Sequence, residues 1–215
     1  LTFEVTSDAR AALTGVDYII TTIRAGGDAG RLFDEQTCLA HGVLGQETTG
    51  AGGFAMAIRS VPTLVYYCTL AREVANPGHL IFNFTNPSGI ITQALRSKGF
   101  DNVYGICDAP SGFIKQLEEI LEIPYGTLDI ECYGLNHLSW FRNAKVNGRD
   151  VQRELLDNPR TYEHSEMRLF TREMARISGD CMLNEYLYFY YRRGKSLSMI
   201  QKADHPRGEM IYLIN

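Results

Sequence analysis

Three apolar, strand-like runs limit what this chain can become: Val16 to Ile23, His79 to Phe84 and Asn102 to Cys107. The first is a nearly continuous β-branched run, the mark of a strand buried on both faces of a parallel sheet. Segments with helical spacing stand between and after them: Gly30 to Val43, Phe54 to Val74 with a bend expected at Pro62, Ile90 to Lys98, and Ser111 to Leu121 with Pro110 near its first turn. Strand and helix alternating at this pace imply right-handed crossovers and an α/β fold around an open parallel sheet.

Each of the three strands ends in a polar loop. Val16 to Ile23 runs into Arg24-Ala-Gly-Gly27, His79 to Phe84 into Thr85-Asn-Pro-Ser-Gly89, and the third ends on Cys107-Asp108. Parallel sheets take their ligands just past the carboxyl ends of their strands, so Arg24, Asn86 and Cys107-Asp108 all occupy ligand-facing positions. The glycine fingerprint of a dinucleotide site and its acidic partner about 20 residues on are not found in the sequence; in a Rossmann-type fold they would precede Leu1. A further glycine-rich stretch, Gly45 to Gly53, reads as a loop.

The pattern changes after Tyr125-Gly126. Leu128 to Tyr133 and Leu138 to Val146 read as strands, with Asn147-Gly148 as a hairpin turn. Helices are expected over Glu163 to Ile177, Asn184 to Arg192 and Ser196 to Ala203. Leu1 to Val5 alternates like a strand, followed by a short helix from Asp8 to Leu13 capped by Ser7 or Asp8. The expected organisation is a nucleotide-binding domain over residues 1–125 and part of a mixed α+β domain over 126–215. The strand-like opening and the unterminated apolar run Met210 to Asn215 suggest a piece cut at both ends.

Composition narrows the partners. A formal charge of −4, with both signs interspersed, gives no electrostatic reason to expect nucleic acid or an anionic membrane. The longest apolar stretch, Phe54 to Ala75, is interrupted by Arg59, Pro62, Arg72 and Glu73, so no membrane span is expected. Five scattered cysteines without a CxxC pair fit reduced thiols in a cytoplasmic enzyme.

Candidate residues carry two readings each. Cys107 on composition alone is a buried inert thiol, but Asp108 and Pro110 beside it, and His137 further on, favour a site. His137 reads equally as a core histidine, and one Cys–His pair falls short of the four ligands of structural zinc. An open site would need only two protein ligands, with substrate oxygens completing the set. Arg24 beside two glycines suits a phosphate or is a surface arginine. Glu47 is a sugar-hydroxyl acceptor or solvated, and Asn86 before Pro87 is a ligand or a turn residue. Tyr186 and Tyr190 share a helical face, and such aromatic stripes more often belong to a core.

Five motifs taken together nevertheless resemble one family. Gln46-Glu-Thr-Thr-Gly-Ala-Gly-Gly-Phe54, Asn83-Phe-Thr-Asn-Pro-Ser-Gly89, Gly105-Ile-Cys-Asp-Ala-Pro110, Gly134-Leu-Asn-His-Leu-Ser139 and Asn184-Glu-Tyr-Leu-Tyr-Phe-Tyr-Tyr191 are similar, in collinear order, to family four of the glycoside hydrolases. This family is an exception to the two-carboxylate rule of glycosidases. The resemblance implies a Rossmann-like domain, NAD and a divalent metal, usually manganese, and a 6-phospho-glucoside (a phosphorylated disaccharide or aryl glucoside) as substrate. Aromatic residues in the second half of the chain add the expectation of a homodimer or homotetramer.

On matching positions, Cys107 and His137 would hold the metal, and Tyr186 would be the catalytic base with Asp108 beside it. Arg24 would hold the 6-phosphate. Glu47, Asn86 and Asn136 would contact sugar hydroxyls, with Arg207 near the site, and Thr22 and Asn83 would contact the cofactor. The implied reaction oxidises sugar C3 by hydride transfer, which acidifies the C2 proton, and then eliminates the aglycone. Family members specific for β-linked sugars more often carry Cys-Asn where this chain has Cys107-Asp108, whereas the Tyr186 region resembles β-type members. A 6-phospho-β-glucosidase is the favoured expectation. The alternatives are a 6-phospho-α-glucosidase, a 2-hydroxy-acid dehydrogenase with His137 as proton carrier, and a non-catalytic NAD-binding paralogue.

Overall fold

The computed structural model describes residues 2–46, 48–204 and 206–214, the side chains of Gln46 and Arg207 excepted. Two compact units emerge, one of residues Leu1–Ile106 with Leu197–Asn215 and the other of Cys107–Ser196.

The first unit opens with α1 (Ala9–Leu13), whose first turn is capped by the Asp8 carboxylate accepting from the amides of Arg10 and Ala11. Then come β1 (Tyr18–Thr21), α2 (Gly27–Ala40), β2 (Gly45–Gln46), α3 (Gly50–Val74), β3 (Leu80–Asn83), α4 (Ser88–Ser97) and β4 (Val103–Gly105). The parallel sheet runs β1-β3-β4, and its register aligns Thr21, Asn83 and Gly105 in one row at the carboxyl edge. Gly105 is needed there, because a Cβ would come within 2.7 Å of the Thr92 hydroxyl of α4.

One face of this sheet forms a core with Leu64, Cys68 and Ala71 of α3, Ile91 and Leu95 of α4, and Phe100. The other face does not match the expectation of strands buried on both sides. Tyr18 is 71% and Ile20 65% exposed, and Tyr18, Phe82 and Tyr104 form an aromatic row across the strands. Strand residues alternate between faces, and α3 and α4 pack on one face alone. Residues 2–5 pair with no strand among the described residues, so their alternation produces none; without a partner ladder the period has nothing to stabilise it.

Helix α3 begins inside the stretch expected to be a loop. Gly53 lies so close to residue 48 that a Cβ would stand 2.8 Å from the Thr48 carbonyl carbon, which explains glycine in a helical turn. Pro62 sits within this single 25-residue helix. By length and composition alone the helix could cross a membrane; here Leu64, Cys68 and Ala71 are core side chains. Arg59 of α3 forms a two-pronged pair with Asp34 of α2, and its Nε donates to the carbonyl of Ala25 at 3.2 Å. That pair anchors the loop after β1. The unit closes with α11, whose range, Arg207–Ile214, follows α10 (Arg193–Gln201); the Gly208 amide donates to Glu35 Oε2 at 2.8 Å.

The second unit contains α5 (Ala109–Leu121), β5 (Leu128–Leu135), β6 (Leu138–Val146), β7 (Arg149–Asp150), α6 (Gln152–Asp157), α7 (Thr161–His164), a 3-10 turn (Glu166–Leu169), α8 (Arg172–Ile177), β8 (Met182–Leu183) and α9 (Leu187–Tyr191). Its antiparallel sheet is β5-β6-β7, with β8 also paired to β6. Asn147 and Gly148 both take positive φ in the β6–β7 turn, as an Asn-Gly hairpin requires. Phe113 and Leu117 of α5 pack on Phe141 and Ala144 of β6, with Phe113 edge-on to Phe141 at 4.9 Å.

The single helix expected over Glu163 to Ile177 is instead three short pieces. Ser165 and Thr171 turn extended, and their hydroxyls accept from the amides of Met167 and Met174, starting new turns. Local side-chain caps here outcompete helix continuation.

Candidate metal centre

His137 does not extend an apolar strand. Strands β5 and β6 pair from Leu128 opposite Val146 to Leu135 opposite Leu138, which leaves Asn136 and His137 as a two-residue turn. His137 sits in the left-handed region at φ +56, a conformation uncommon for non-glycine residues and concentrated at functional sites. Gly134, at φ +119, makes the approach possible: a Cβ there would collide with the carbonyl oxygen of Leu138 and lie 3.1 Å from the Trp140 ring.

The turn buries His137 to 8% exposure and brings its Nε2 to 3.3 Å from Sγ of Cys107, the residue before the N-cap of α5. Metal–nitrogen and metal–sulfur bonds of about 2.0–2.3 Å span such a gap, so one ion fits both donors. A thiolate with an imidazole suits borderline first-row divalent ions. Among the described residues no group of three or more His, Cys, Asp or Glu side chains forms a fuller set. Two protein donors would leave the remaining positions of an ion to other ligands.

Tyr186, just before α9, lays its ring on His137 with centroids 4.0 Å apart and planes within 1°. Asp108 is exposed, with Oδ1 4.0 Å from the Cys107 sulfur, and Asn136 is exposed beside His137 in the turn. A cavity of about 160 Å³ opens here, bounded by Ala109, Pro110, Cys132, Asn136, His137 and Asn184. A larger one of about 220 Å³ elsewhere in this unit sets Arg153, Arg172 and Arg176 among Asp150, Asp157 and Asp180, and holds neither thiol nor imidazole.

Five of the expected site residues thus gather in the second unit: Cys107, Asp108, Asn136, His137 and Tyr186. Thr22, Arg24, Asn83 and Asn86 belong to the first unit, at or just beyond the carboxyl ends of β1 and β3. Thr22 is exposed, and Arg24 pairs through Nε with Asp28 at 3.1 Å. Asn83 is fully buried. Its side-chain amide accepts from the Thr21 hydroxyl at 3.0 Å and donates to the Thr85 carbonyl at 3.2 Å, so the side chain braces the turn after β3. Glu47 and the Arg207 side chain lie outside the described residues.

Two residues of this region were given no role from the sequence: Glu166, and Asn184, which entered only as the first residue of a motif. Glu166 Oε2 accepts from Asn184 Nδ2 at 2.8 Å and from the Glu185 amide at 3.0 Å. Burial pushes the Glu166 carboxyl up to about 7. The cap at Ser165 was the available signal, since a serine followed by a break in helical spacing ends one helix and begins another turn.

The description "Family 4 glycosyl hydrolase" matches residues 1–123, and that of the family's C-terminal domain matches residues 132–214. The 6-phospho-beta-glucosidase BglT of Thermotoga maritima is 38% identical over 148 residues, 68% of this chain and 35% of that protein. The 6-phospho-alpha-glucosidase 1 of Lacticaseibacillus paracasei is 35% identical over 152 residues, 69% of this chain and 34% of that one. The structure of the 6-phospho-beta glucosidase from Thermotoga maritima with manganese, NAD+ and glucose-6-phosphate superposes with a TM-score of 0.86 at 31% identity, covering 97% of this chain and 49% of that one. The chain spans between a third and a half of the length of these relatives. At this likeness the Rossmann-like α/β fold expected from the sequence is the fold observed. Matched along both of its halves, the chain belongs to family 4 of the glycosyl hydrolases.

Proposed function

We propose that the protein carrying this chain is an NAD- and divalent-metal-dependent 6-phospho-glucosidase of the cytoplasm, acting on β-linked sugars as a homo-oligomer. The observation that carries the reading is the meeting of Cys107 Sγ and His137 Nε2 at 3.3 Å with Tyr186 stacked on the imidazole. Names of relatives support the substrate class for both anomers, at 38% identity for a β-enzyme and 35% for an α-enzyme. Five free cysteines support a reducing compartment.

Once bound, NAD+ would supply a hydride acceptor and a manganese ion on Cys107 and His137 a Lewis acid. The chain's own groups do the remaining work. Tyr186 would take a proton at its phenolic oxygen from sugar C2, which is acidic only while C3 is a ketone. His137 orients the tyrosine by stacking. Asn136, which lines the cavity, and the exposed Asp108 would bond sugar hydroxyls; the resemblance gives Asn86 a sugar-hydroxyl role as well and Arg24 the 6-phosphate.

The test uses the intact protein with nitrophenyl 6-phospho-β-glucoside, NAD+, Mn²⁺ and a thiol reductant. Turnover should vanish with chelator and return with Mn²⁺, and product formed in deuterated water should carry deuterium at C2. Protium at C2 would exclude elimination. Faster turnover of the α-anomer would reassign the linkage, and metal-independent NADH accumulation from lactate or malate would replace this reading by a dehydrogenase.

A further inference from the structure

Behind Tyr186 lies a buried carboxylate that the reaction above does not use. Glu166 is 8% exposed and opens the 3-10 turn Glu166–Leu169. Directly, or through Asn184, its bonds reach three elements that carry the site. Through Oε2 it holds the Asn184 side-chain amide at 2.8 Å and the Glu185 backbone amide at 3.0 Å. Asn184 is itself 1% exposed; its Oδ1 accepts from the Tyr186 amide at 3.1 Å, and its own amide donates to the carbonyl of Ser139, two residues beyond His137, at 3.1 Å. On the opposite side the Glu166 amide donates to Gln116 Oε1 of α5, the helix that follows Cys107-Asp108, at 2.9 Å.

Removing a carboxylate from water costs several kcal/mol in general, so a buried one persists where its bonds hold something in place. What this one holds is the turn Asn184-Glu185-Tyr186. We propose that Glu166 is a positioning residue, whose carboxylate fixes the turn that lays the Tyr186 ring flat on His137. The catalytic consequence rests on the reading of Tyr186 as base; the geometric one does not. Glu166 acts through Asn184 and Glu185 and touches no substrate. Burial raises the pKa of this carboxyl to about 7, while the bonds from the Glu185 amide and Asn184 act the other way and favour the charged acceptor form.

The experiment compares Glu166→Ala and Glu166→Gln in the intact protein. Glutamine keeps an acceptor oxygen for Asn184 and Glu185, and alanine does not. The first readout is the NMR shift of the carbon-bound ring protons of His137, assigned with a His137→Gln control, because a face-to-face ring at 4.0 Å moves them upfield. E166A should lose that upfield shift and E166Q should keep it. The second readout is kinetic: kcat on nitrophenyl 6-phospho-β-glucoside should fall at least about tenfold in E166A, with KM and Mn²⁺ affinity near wild type, and recover in E166Q.

Retention of the His137 shift in E166A, or equal loss in both variants, overturns the proposal. Should E166A not fold, Glu166→Asp takes its place, since a carboxylate withdrawn by one methylene must also lose the shift; a retained shift there overturns the proposal as well. An inactive wild type would sink the glucosidase reading, and the NMR arm would still decide the role of Glu166.

Discussion

Sγ of Cys107 and Nε2 of His137 stand 3.3 Å apart although thirty residues separate them in the chain. The contact joins the N-terminus of α5 to the turn between β5 and β6.

Cys107→Ser exchanges a soft donor for a hard, weakly ligating hydroxyl while keeping side-chain size. Mn²⁺ affinity, measured by titration of the apo protein, should drop by more than the roughly 10–100-fold that outer partners of a metal ligand control. Unchanged affinity would remove Cys107 from the site.

Tyr186→Phe retains the ring that stacks on His137 and removes only the hydroxyl. Single-turnover and steady-state rates should fall by roughly 10²–10⁴, the range of general acid–base contributions, with Mn²⁺ affinity unaltered. A variant turning over at the wild-type rate would mean that another group takes the proton.

Gly134→Ala tests how the hairpin delivers His137. The position has φ +119, and an added Cβ would strike the Leu138 carbonyl. Strain at such a backbone position amounts to ~1–3 kcal/mol, so the urea midpoint should fall and Mn²⁺ affinity with it. Loss of stability with full metal affinity would show that the His137 turn tolerates the shift.

The Glu166 carboxyl gives stability a pH signature. Its folded acidity, about 7 against an ordinary 4.5, means that the folded state holds the proton more tightly than the unfolded chain. The resulting stability is complete below about 4.5 and is lost as pH rises through about 7, a difference of ~3 kcal/mol over the window. Glu185 opposes ionisation and Arg168 favours it, both weaker than burial and the Glu185 backbone amide. Urea melts of wild type and Glu166→Gln between pH 4.5 and 8 should diverge in that direction, with the wild type losing ground as pH rises. Parallel curves would contradict the shift.

What could be read from the sequence was local. Strand runs ending in polar loops placed the parallel sheet, Asp8 and Asn147-Gly148 marked a helix cap and a hairpin turn, and ordered motifs named the family together with Cys107, His137 and Tyr186. Hydrophobic period and cap chemistry report the preferences of a few neighbouring residues, and these survive into the fold. Burial depends on what arrives from elsewhere in the chain, and here the tertiary structure alone decided. Tyr18 and Ile20 look like core and are exposed because α3 and α4 cover one face of the sheet. Glu166 looks like a surface residue on a helix and is buried because Asn184, Glu185 and Gln116, from 18, 19 and 50 positions away, close around it. His137 became a donor partner of Cys107 because Gly134 lets two strands turn back within two residues, a steric condition that depends on Leu138 and Trp140 as much as on the histidine itself.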